Sequence, residues 1–238
     1  VNDINRKVVR SNVIFQEDMD KAYDKLEWSF IIRVMRKFGF QEWVCDLCFR
    51  CYASPWLSIS LKGKGFGFFK SVRGVRQGDP SSPSLFILAQ DTLSRNLHMS
   101  MRNRKLQPFF GRKGRETISH LMFADDILIF TNGRRRSLIE LMGILSVYCS
   151  LSGQKINAGK SHVFFSNRCP GRRCRDIQEI LGCQRRQLPL IYLGVPLSPG
   201  HVKQSFFEDI MNWILGIIMN WKNKFLSFGG RFTLINSI

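Results

Sequence analysis

The stretch Leu121-Met122-Phe123-Ala124-Asp125-Asp126-Ile127-Leu128-Ile129-Phe130 decides the fold of this 238-residue chain. Each half is a short apolar run rich in branched and aromatic residues, which predicts a β-strand. Aspartates favour turns because their side chains bond to nearby backbone groups, so the pair between the runs predicts a tight turn. The stretch is therefore expected to form an antiparallel hairpin with Asp125 and Asp126 at its tip.

Two adjacent carboxylates at the tip of an apolar hairpin repel each other. Their partial burial costs free energy unless a cation compensates the charge. Mg²⁺ prefers oxygen ligands and typically binds one or two carboxylates together with substrate phosphates. One interpretation of Asp125 and Asp126 is therefore part of a two-metal phosphoryl-transfer site. The alternative is a solvated Asp-Asp turn without a catalytic role.

The composition points to a polyanion as the binding partner. Lys and Arg number 36 against 18 Asp and Glu, which gives a formal charge of +18 and a pI near 10.1. This balance disfavours an ordinary enzyme acting on small neutral metabolites and favours a nucleic-acid binder. The 20 Phe and 5 Trp residues supply surfaces on which bases can stack. Neither observation distinguishes DNA from RNA.

Cysteine usage and hydropathy indicate an intracellular protein, in the nucleus or the cytoplasm. The seven cysteines are odd in number and irregularly spaced, so a disulfide framework is not expected. Cys45, Cys48 and Cys51 are interpreted as one face of a helix, because the fourth ligand of an iron–sulfur run is missing. The sequence shows no signal peptide and no apolar run long enough to span a bilayer, so no membrane partner is expected.

Asp18 is the candidate that could complete a carboxylate site. The run Val13-Ile14-Phe15 leads into Glu17 and Asp18 and predicts a strand that ends at a carboxylate. A third carboxylate on a strand beside the hairpin would allow two metals to share bridging ligands. Side chains alternate along a strand, so Glu17 is expected on the opposite face and is not a natural co-ligand.

Capping patterns place helices between the predicted strands. Asp24 and Glu27 form a capping-box pattern at the start of one helix. Asp79 and Pro80 predict the cap and first residue of another, and Gly153 predicts the end of a third. The chain lacks the glycine fingerprint of a dinucleotide-binding fold, so the alternation favours an α+β protein with a mixed sheet.

Six segments in order resemble the sequence motifs of reverse transcriptases. The first three are similar to palm motifs: Asp18-Met19-Asp20-Lys21-Ala22-Tyr23-Asp24, Gly74-Val75-Arg76-Gln77-Gly78-Asp79-Pro80 and Phe123-Ala124-Asp125-Asp126. The others are similar to the fourth motif, the segment after the palm and the start of the thumb, and they are residues 152–161, 192–197 and 221–237. This set resembles the enzymes of non-LTR, LINE-type retrotransposons, especially those of plants.

The resemblance implies an α+β polymerase palm, an antiparallel sheet with helices on one face. It assigns residues 1–198 to the palm with partial fingers, and residues 199–238 to the start of a helical thumb. The implied activity is RNA-directed DNA polymerisation, in which dNTPs are added to the 3′-hydroxyl of a DNA primer on an RNA template. In the element this reaction would serve retrotransposition.

The resemblance also carries site residues over by position. Asp18, Asp125 and Asp126, with the Met19 backbone carbonyl, would hold two Mg²⁺ ions, for which Mn²⁺ could substitute. Nucleotide-binding roles fall to Tyr23, Gln77, Gly78 and Lys160. Tyr23 would exclude a 2′-hydroxyl, and Lys160 would protonate pyrophosphate. Without the resemblance, the first would be interpreted as a core tyrosine and the second as an exposed turn lysine.

Three alternatives accompany this interpretation. The basic residues with which the family clamps the triphosphate lie in an upstream fingers segment that this chain lacks, which favours an inactive fragment. A non-catalytic RNA-binding remnant is the alternative from another functional class. Among enzymes, a group II intron-type or telomerase-like reverse transcriptase is the second choice. Phe123 before the Ala-Asp-Asp triplet and the 152–157 segment favour the LINE type.

Overall fold

The computed structural model describes residues 1–5, 12–111, 118–166, 169–200, 204–218 and 227–236. The chain divides into two compact units, residues 1–188 and residues 189–238. The predicted assignment of residues 199–238 to a thumb stays a prediction, and residues 221–226 and 237 of its proposed motif lie outside the described residues.

The described residues of the first unit contain seven strands and six α-helices, after a short 3-10 helix at Asn2–Asn5. Its strands are β1 (Asn12–Asp18), β2 (Leu57–Leu61), β3 (Lys64–Phe69), β4 (His120–Phe123), β5 (Asp126–Asn132), β6 (His162–Phe165) and β7 (Gln184–Arg185). Its helices are α1 (Ala22–Lys25), α2 (Trp28–Lys37), α3 (Glu42–Ala53), α4 (Ser82–Arg102), α5 (Arg135–Ser152) and α6 (Gly171–Leu181).

A five-stranded sheet in the order β4-β5-β1-β6-β7 forms the centre of the first unit. All neighbouring pairs are antiparallel except β6 and β7. The hairpin predicted at residues 121–130 is β4 and β5, joined by a two-residue turn at Ala124 and Asp125. Strand β1 lies between β5 and β6, so the end of β1 is flanked by segments from two later parts of the chain.

Helices cover one face of this sheet, as predicted. Phe15 of β1 and Ile129 of β5 belong to a buried cluster with Phe30 of α2, Leu93 of α4 and Leu141 of α5. The helices form because their apolar residues recur at helical spacing and are buried against this face of the sheet. The α+β palm architecture is thus confirmed.

Two predicted helix starts are wrong. Helix α2 begins after Glu27, and neither Asp24 nor Glu27 caps it through a side chain. Helix α4 begins after Ser81 rather than Asp79. Asp79 Oδ1 instead accepts the Ser81 N–H at 2.9 Å, a local turn that competes with the capping position. The end of α5 at Gly153, with φ of 77°, is as predicted.

The second unit is small. Its strands β8 (Leu190–Tyr192) and β9 (Val195–Leu197) form an antiparallel pair, and its helices are α7 (Glu208–Ile218) and α8 (Phe228–Asn236). In the described part of the chain, no helix is both long and apolar enough to cross a bilayer.

Candidate active site

Asp18 and Asp126 lie directly opposite each other on β1 and β5. Opposite residues of an antiparallel pair project to the same face of the sheet, so the two carboxylates share one face. Asp125 precedes β5 in the turn, and its carbonyl accepts the Met19 N–H at 3.3 Å. The register thus places the three aspartates of the sequence prediction around the end of β1.

Glu17 projects to the other face of the sheet, as alternation predicts. It is fully buried, and neither carboxylate oxygen has a hydrogen-bond partner in the described residues. Burial raises the pKa of Glu17 to about 8. A group on the far face cannot reach a cation held between Asp18 and Asp126, so Glu17 is excluded from the carboxylate site.

The hairpin tip is held by a residue that the sequence interpretation missed. Ala124 has a positive φ of 49°, which is uncommon outside glycine. Gln90 of α4 donates a hydrogen bond from Nε2 to the Ala124 carbonyl. The available signal was one polar residue on the apolar face of α4, between Phe86 and Leu93, where all three are buried.

A segment from the fourth motif extends the pairing of β1 on its other side. Asn157 N donates to Asp18 O at 2.8 Å, and Asp20 N donates to Lys155 O at 2.8 Å. Asp18 N donates to Ser161 Oγ at 3.2 Å. Asp18 is therefore fixed between the hairpin and this segment, and sequence reasoning assigned no role to Asn157 or Ser161.

The Met19 carbonyl is oriented towards the hairpin. Met19 forms an isolated antiparallel bridge with Ile156, but the hydrogen bonds on that side come from Asp18 and Asp20. The N–H and C=O of one residue in an antiparallel strand point to the same side. Since the Met19 N–H faces Asp125, its carbonyl faces the same side, and its role as a metal ligand stays a prediction.

Burial and repulsion between neighbouring aspartates disfavour the ionised form of the carboxylates. Burial raises the pKa of Asp126, and the negative charges of Asp125 and Asp18 raise it further. The pKa of Asp18 is raised by burial and by Asp125, while Lys160 and a hydrogen bond from the Asn157 side chain lower it. Lys160 is thus near enough to Asp18 for its positive charge to favour the ionised carboxylate, and its role towards pyrophosphate stays a prediction. Repulsion among close carboxylates is what a cation would relieve.

Tyr23 borders a cavity that reaches the hairpin tip. Its ring stacks on Phe86 with centroids 4.4 Å apart and an interplanar angle of 5°. The cavity has a volume of about 680 Å³ and is also lined by Gln90 and Ala124. The structure therefore places the predicted nucleotide-binding tyrosine next to the turn that carries Asp125.

The second motif is attached to the first through the backbone. Gly74 N donates to Leu26 O at 2.8 Å, and Val75 N donates to Tyr23 O at 2.9 Å. Gly74 has φ of +89°, and a Cβ there would lie 2.6 Å from Asp24 O, so only glycine permits this approach. Gln77 and Gly78 follow in an exposed loop before α4. They are connected to the site through Tyr23 and not through the carboxylates.

In the described residues, no three His, Cys, Asp or Glu side chains converge as a ready-made metal site. The donor set nevertheless fits a hard cation. Mg²⁺ commonly uses one or two protein carboxylates and completes its shell with water and substrate phosphates. Asp18 and Asp126 supply such a pair, and burial together with the neighbouring aspartate charges raises the pKa of both, in Asp18 despite the positive charge of Lys160.

A helix-backed antiparallel sheet that presents opposed carboxylates beside a two-residue hairpin turn defines the palm of a nucleotidyl-transferring polymerase. Residues 2–197 match the family described as "Reverse transcriptase (RNA-dependent DNA polymerase)". The chain belongs to this family, as its motifs predicted.

The similar proteins include polyproteins of mobile elements. The chain is 29% identical over 214 residues to a Pol polyprotein of the R2DM retrotransposable element of Drosophila melanogaster, which covers 86% of this chain and 19% of the relative. An R2 polyprotein of Popillia japonica is 26% identical and covers 83% of this chain and 32% of the relative. The chain therefore spans a third or less of these two relatives. The resemblance to non-LTR elements is confirmed.

Solved structures agree on the fold. A truncated apo telomerase of Candida tropicalis has a TM-score of 0.52 at 15% identity, covering 70% of this chain and 32% of that one. A telomerase of Candida albicans in complex with a telomeric RNA fragment has a TM-score of 0.50 and covers 67% of this chain and 27% of that one. At this identity the likeness concerns the fold alone.

Proposed function

We propose that this chain is the catalytic palm of an RNA-directed DNA polymerase, which extends a DNA primer with dNTPs on an RNA template. The observation that carries the proposal is the opposed pair Asp18 and Asp126, with Asp125 in the adjoining turn. The similarity to retrotransposon polyproteins supports a role in retrotransposition. Copying of an element's RNA would place the protein in the nucleus or cytoplasm.

The reverse transcriptase family uses divalent metal ions, and here two Mg²⁺, or Mn²⁺ in their place, would be held by Asp18, Asp125, Asp126 and the Met19 carbonyl. When bound, such ions lower the pKa of an attacking hydroxyl and stabilise negative charge on phosphate oxygens. The carboxylates position this charge at the hairpin tip, and the Gln90 hydrogen bond to Ala124 keeps the turn in place.

The other site residues orient the nucleotide. Tyr23, stacked on Phe86, presents a flat surface to the sugar and excludes a 2′-hydroxyl. Gln77 and Gly78 contact the nucleotide or the template from the loop before α4. Lys160 is exposed and near Asp18, where its ammonium group can donate a proton to pyrophosphate as this product leaves.

Primer extension on an RNA template tests the proposal. The full chain is compared with Asp125→Ala and with Asp46→Asn, which removes an exposed carboxylate of α3. We expect extension by the wild type and by Asp46→Asn, and none by Asp125→Ala. Extension that survives Asp125→Ala would reject the assigned site. RNA binding without extension in any form would favour the non-catalytic remnant.

Nucleotide selection gives a second measurement. Tyr23→Val removes the surface below the sugar, whereas Tyr23→Phe keeps the ring stacked on Phe86. We expect the preference for dNTPs over rNTPs to fall about tenfold or more in the first variant and to persist in the second. Equal selectivity in the wild type and in both variants would mean that Tyr23 has only a structural role.

A further inference from the structure

A cluster of basic residues lies at the opposite end of β5 from the carboxylates. Strand β5 runs for seven residues from Asp126 to Asn132, a span of about 20 Å. At its far end, the end of α4 and the start of α5 bring six basic residues into one region, called here the distal basic cluster. Its members are Arg102, Arg104, Lys105, Arg134, Arg135 and Arg136.

Gln107 ties the two halves of the cluster together. Its carbonyl accepts Thr131 Oγ1 at 2.7 Å, and its N–H donates to Ser137 Oγ of α5 at 3.3 Å. Its side chain donates to Arg104 O at 2.8 Å. Ser100 of α4 also donates to Glu140 of α5 at 2.9 Å. The basic residues are therefore held close together by the fold and do not merely follow one another in sequence.

Little negative charge lies beside the cluster, and Glu140, one turn after Arg136, is the one acidic residue of α5. Five of its residues are exposed, with Arg134 half-buried, and no ion pair joins any member to a carboxylate in the described part of the chain. The first turn of α5 carries arginines and no acidic residue. Cations at a helix N-terminus oppose the helix dipole, so this arrangement is unfavourable until an anion binds.

Two donors at the same point have no acceptor. Asn132 is fully buried, and its Oδ1 accepts the Arg134 N–H at 3.1 Å, which fixes the amide at the start of α5. The Nδ2 of this amide and the buried Nε of Arg134 are unpartnered in the described residues. Buried donors are normally paired. These unpaired donors add to the positive potential at the start of α5, and an anion bound by the exposed Arg135 and Arg136 would compensate that charge.

We propose that the distal basic cluster binds the phosphodiester backbone of a nucleic acid at a site separate from the carboxylate site. Guanidinium groups match phosphate oxygens in geometry, and five of the six residues are arginines. The separation of about 20 Å corresponds to about six base pairs of duplex. The site thus engages nucleic acid beyond the point of nucleotide addition, whether or not the chain polymerises.

Binding without metal tests the proposal independently of activity. Anisotropy of a labelled 20-nucleotide RNA is measured in EDTA at several KCl concentrations for the full chain and for Arg135→Ala/Arg136→Ala. The matched control is Arg172→Ala/Arg175→Ala, which removes the same charge from exposed positions of α6. We expect about tenfold weaker binding in the cluster variant and a salt slope lower by about 1.4, for two phosphate contacts. Equal losses in both variants would overturn the proposal.

Asn132→Asp separates a ligand role from a structural one. Aspartate still accepts the Arg134 N–H, but burying its charge costs stability, so RNA affinity is measured well below the melting temperatures of both proteins. The negative charge of the aspartate repels phosphate, and RNA affinity should decrease by about tenfold. Unchanged affinity would remove the α5 N-terminus from the site. A 20-base-pair DNA and a polyglutamate peptide are measured alongside. Peptide binding as tight as RNA binding, with the same loss in the cluster variant, would contradict a nucleic-acid ligand.

Discussion

Asp18 and Asp126 face each other across β1 and β5, with both side chains on the same face of the sheet. Burial and the charge of Asp125 raise the pKa values of both carboxyl groups, and the charge of Asp18 raises the pKa of Asp126 further. The fold therefore holds together two groups that, when ionised, destabilise it. Removing one of these charges should therefore stabilise the fold and at the same time remove a proposed metal ligand.

Asp126→Asn should stabilise the metal-free protein and abolish primer extension. A raised native pKa means that ionisation costs native stability once the pH exceeds the unfolded value of 3.8. Removing one charge at pH 7 should raise Tm by about 2–4 °C, the equivalent of about 1 kcal/mol. The gain should vanish as the pH falls below 3.8, where the carboxyl group is protonated in both the folded and the unfolded state.

The control for this measurement is Asp46→Asn, which removes an exposed carboxylate paired with Arg50 at 2.7 Å. Exposed pairs contribute little, so its Tm should change by less than about 1 °C. Calorimetry in EDTA, repeated with Mg²⁺, checks both variants. A lower Tm for Asp126→Asn at pH 7 would contradict the repulsion.

Gln90→Leu should slow catalysis without changing nucleotide affinity. The variant leaves the Ala124 carbonyl without its donor, so the turn that carries Asp125 is less well positioned. We expect kcat to fall about tenfold and KM for dNTP to change less than about threefold, measured by single-nucleotide incorporation. Asn96→Leu, at an exposed position of α4, is the control and should leave both constants unchanged.

Gly74→Ala should destabilise the chain more than Gly78→Ala. Both glycines have positive φ, +89° and +90°, so both substitutions carry the cost of about 1–2 kcal/mol for a left-handed alanine. Only at Gly74 does the new Cβ meet backbone, 2.6 Å from Asp24 O. We expect a total loss above about 3 kcal/mol for Gly74→Ala in urea unfolding. Equal losses would mean that the contact relaxes freely.

Glu17 should make stability depend on pH. Its pKa is about 8 in the folded chain and 4.5 as the reference value. Below pH 4.5 both states are protonated and stability is complete. Between pH 4.5 and 8 only the unfolded state loses the proton, so stability should fall by as much as about 5 kcal/mol. Glu17→Gln should lack this slope and be the more stable protein at pH 8.

Urea midpoints at pH 5 and pH 8 check this dependence. Glu179→Gln, at an exposed position of α6, is the matched control and should retain the slope of the wild type. A slope that persists in Glu17→Gln would assign the pH dependence to another group.

Local sequence patterns predicted the strands and turns that depend on residues close together in the chain. The alternation in residues 121–130 and at Val13 to Asp18 was enough for the hairpin and for the strand that joins it. The α4 start was wrong because Asp79 bonds to Ser81 in a turn instead of capping the helix. The Asp79 carboxylate can either cap the helix or form this turn, and only the tertiary structure selects between the two.

The hydrogen bonds that hold the site in place could not be predicted from local sequence patterns. Gln90 contacts Ala124, and Ser161 contacts Asp18, across long sequence separations. A polar residue on an apolar helix face indicates that some partner exists, but it does not identify the partner. The metal-ligand roles carried over from the motifs stay predictions, whereas the placement of Asp18 beside the hairpin is observed.

The central position of β1 also governs when the site can form during synthesis. Asp18 is made early, but its neighbours come from residues 125–126 and 155–161. A growing chain therefore carries a carboxylate without its surroundings until both later segments have left the ribosome and paired. A premature stop between residues 132 and 161 would leave the three aspartates but not the segment that fixes Asp18 from its other side. Positioning of the first carboxylate thus depends on a segment made more than 130 residues after it.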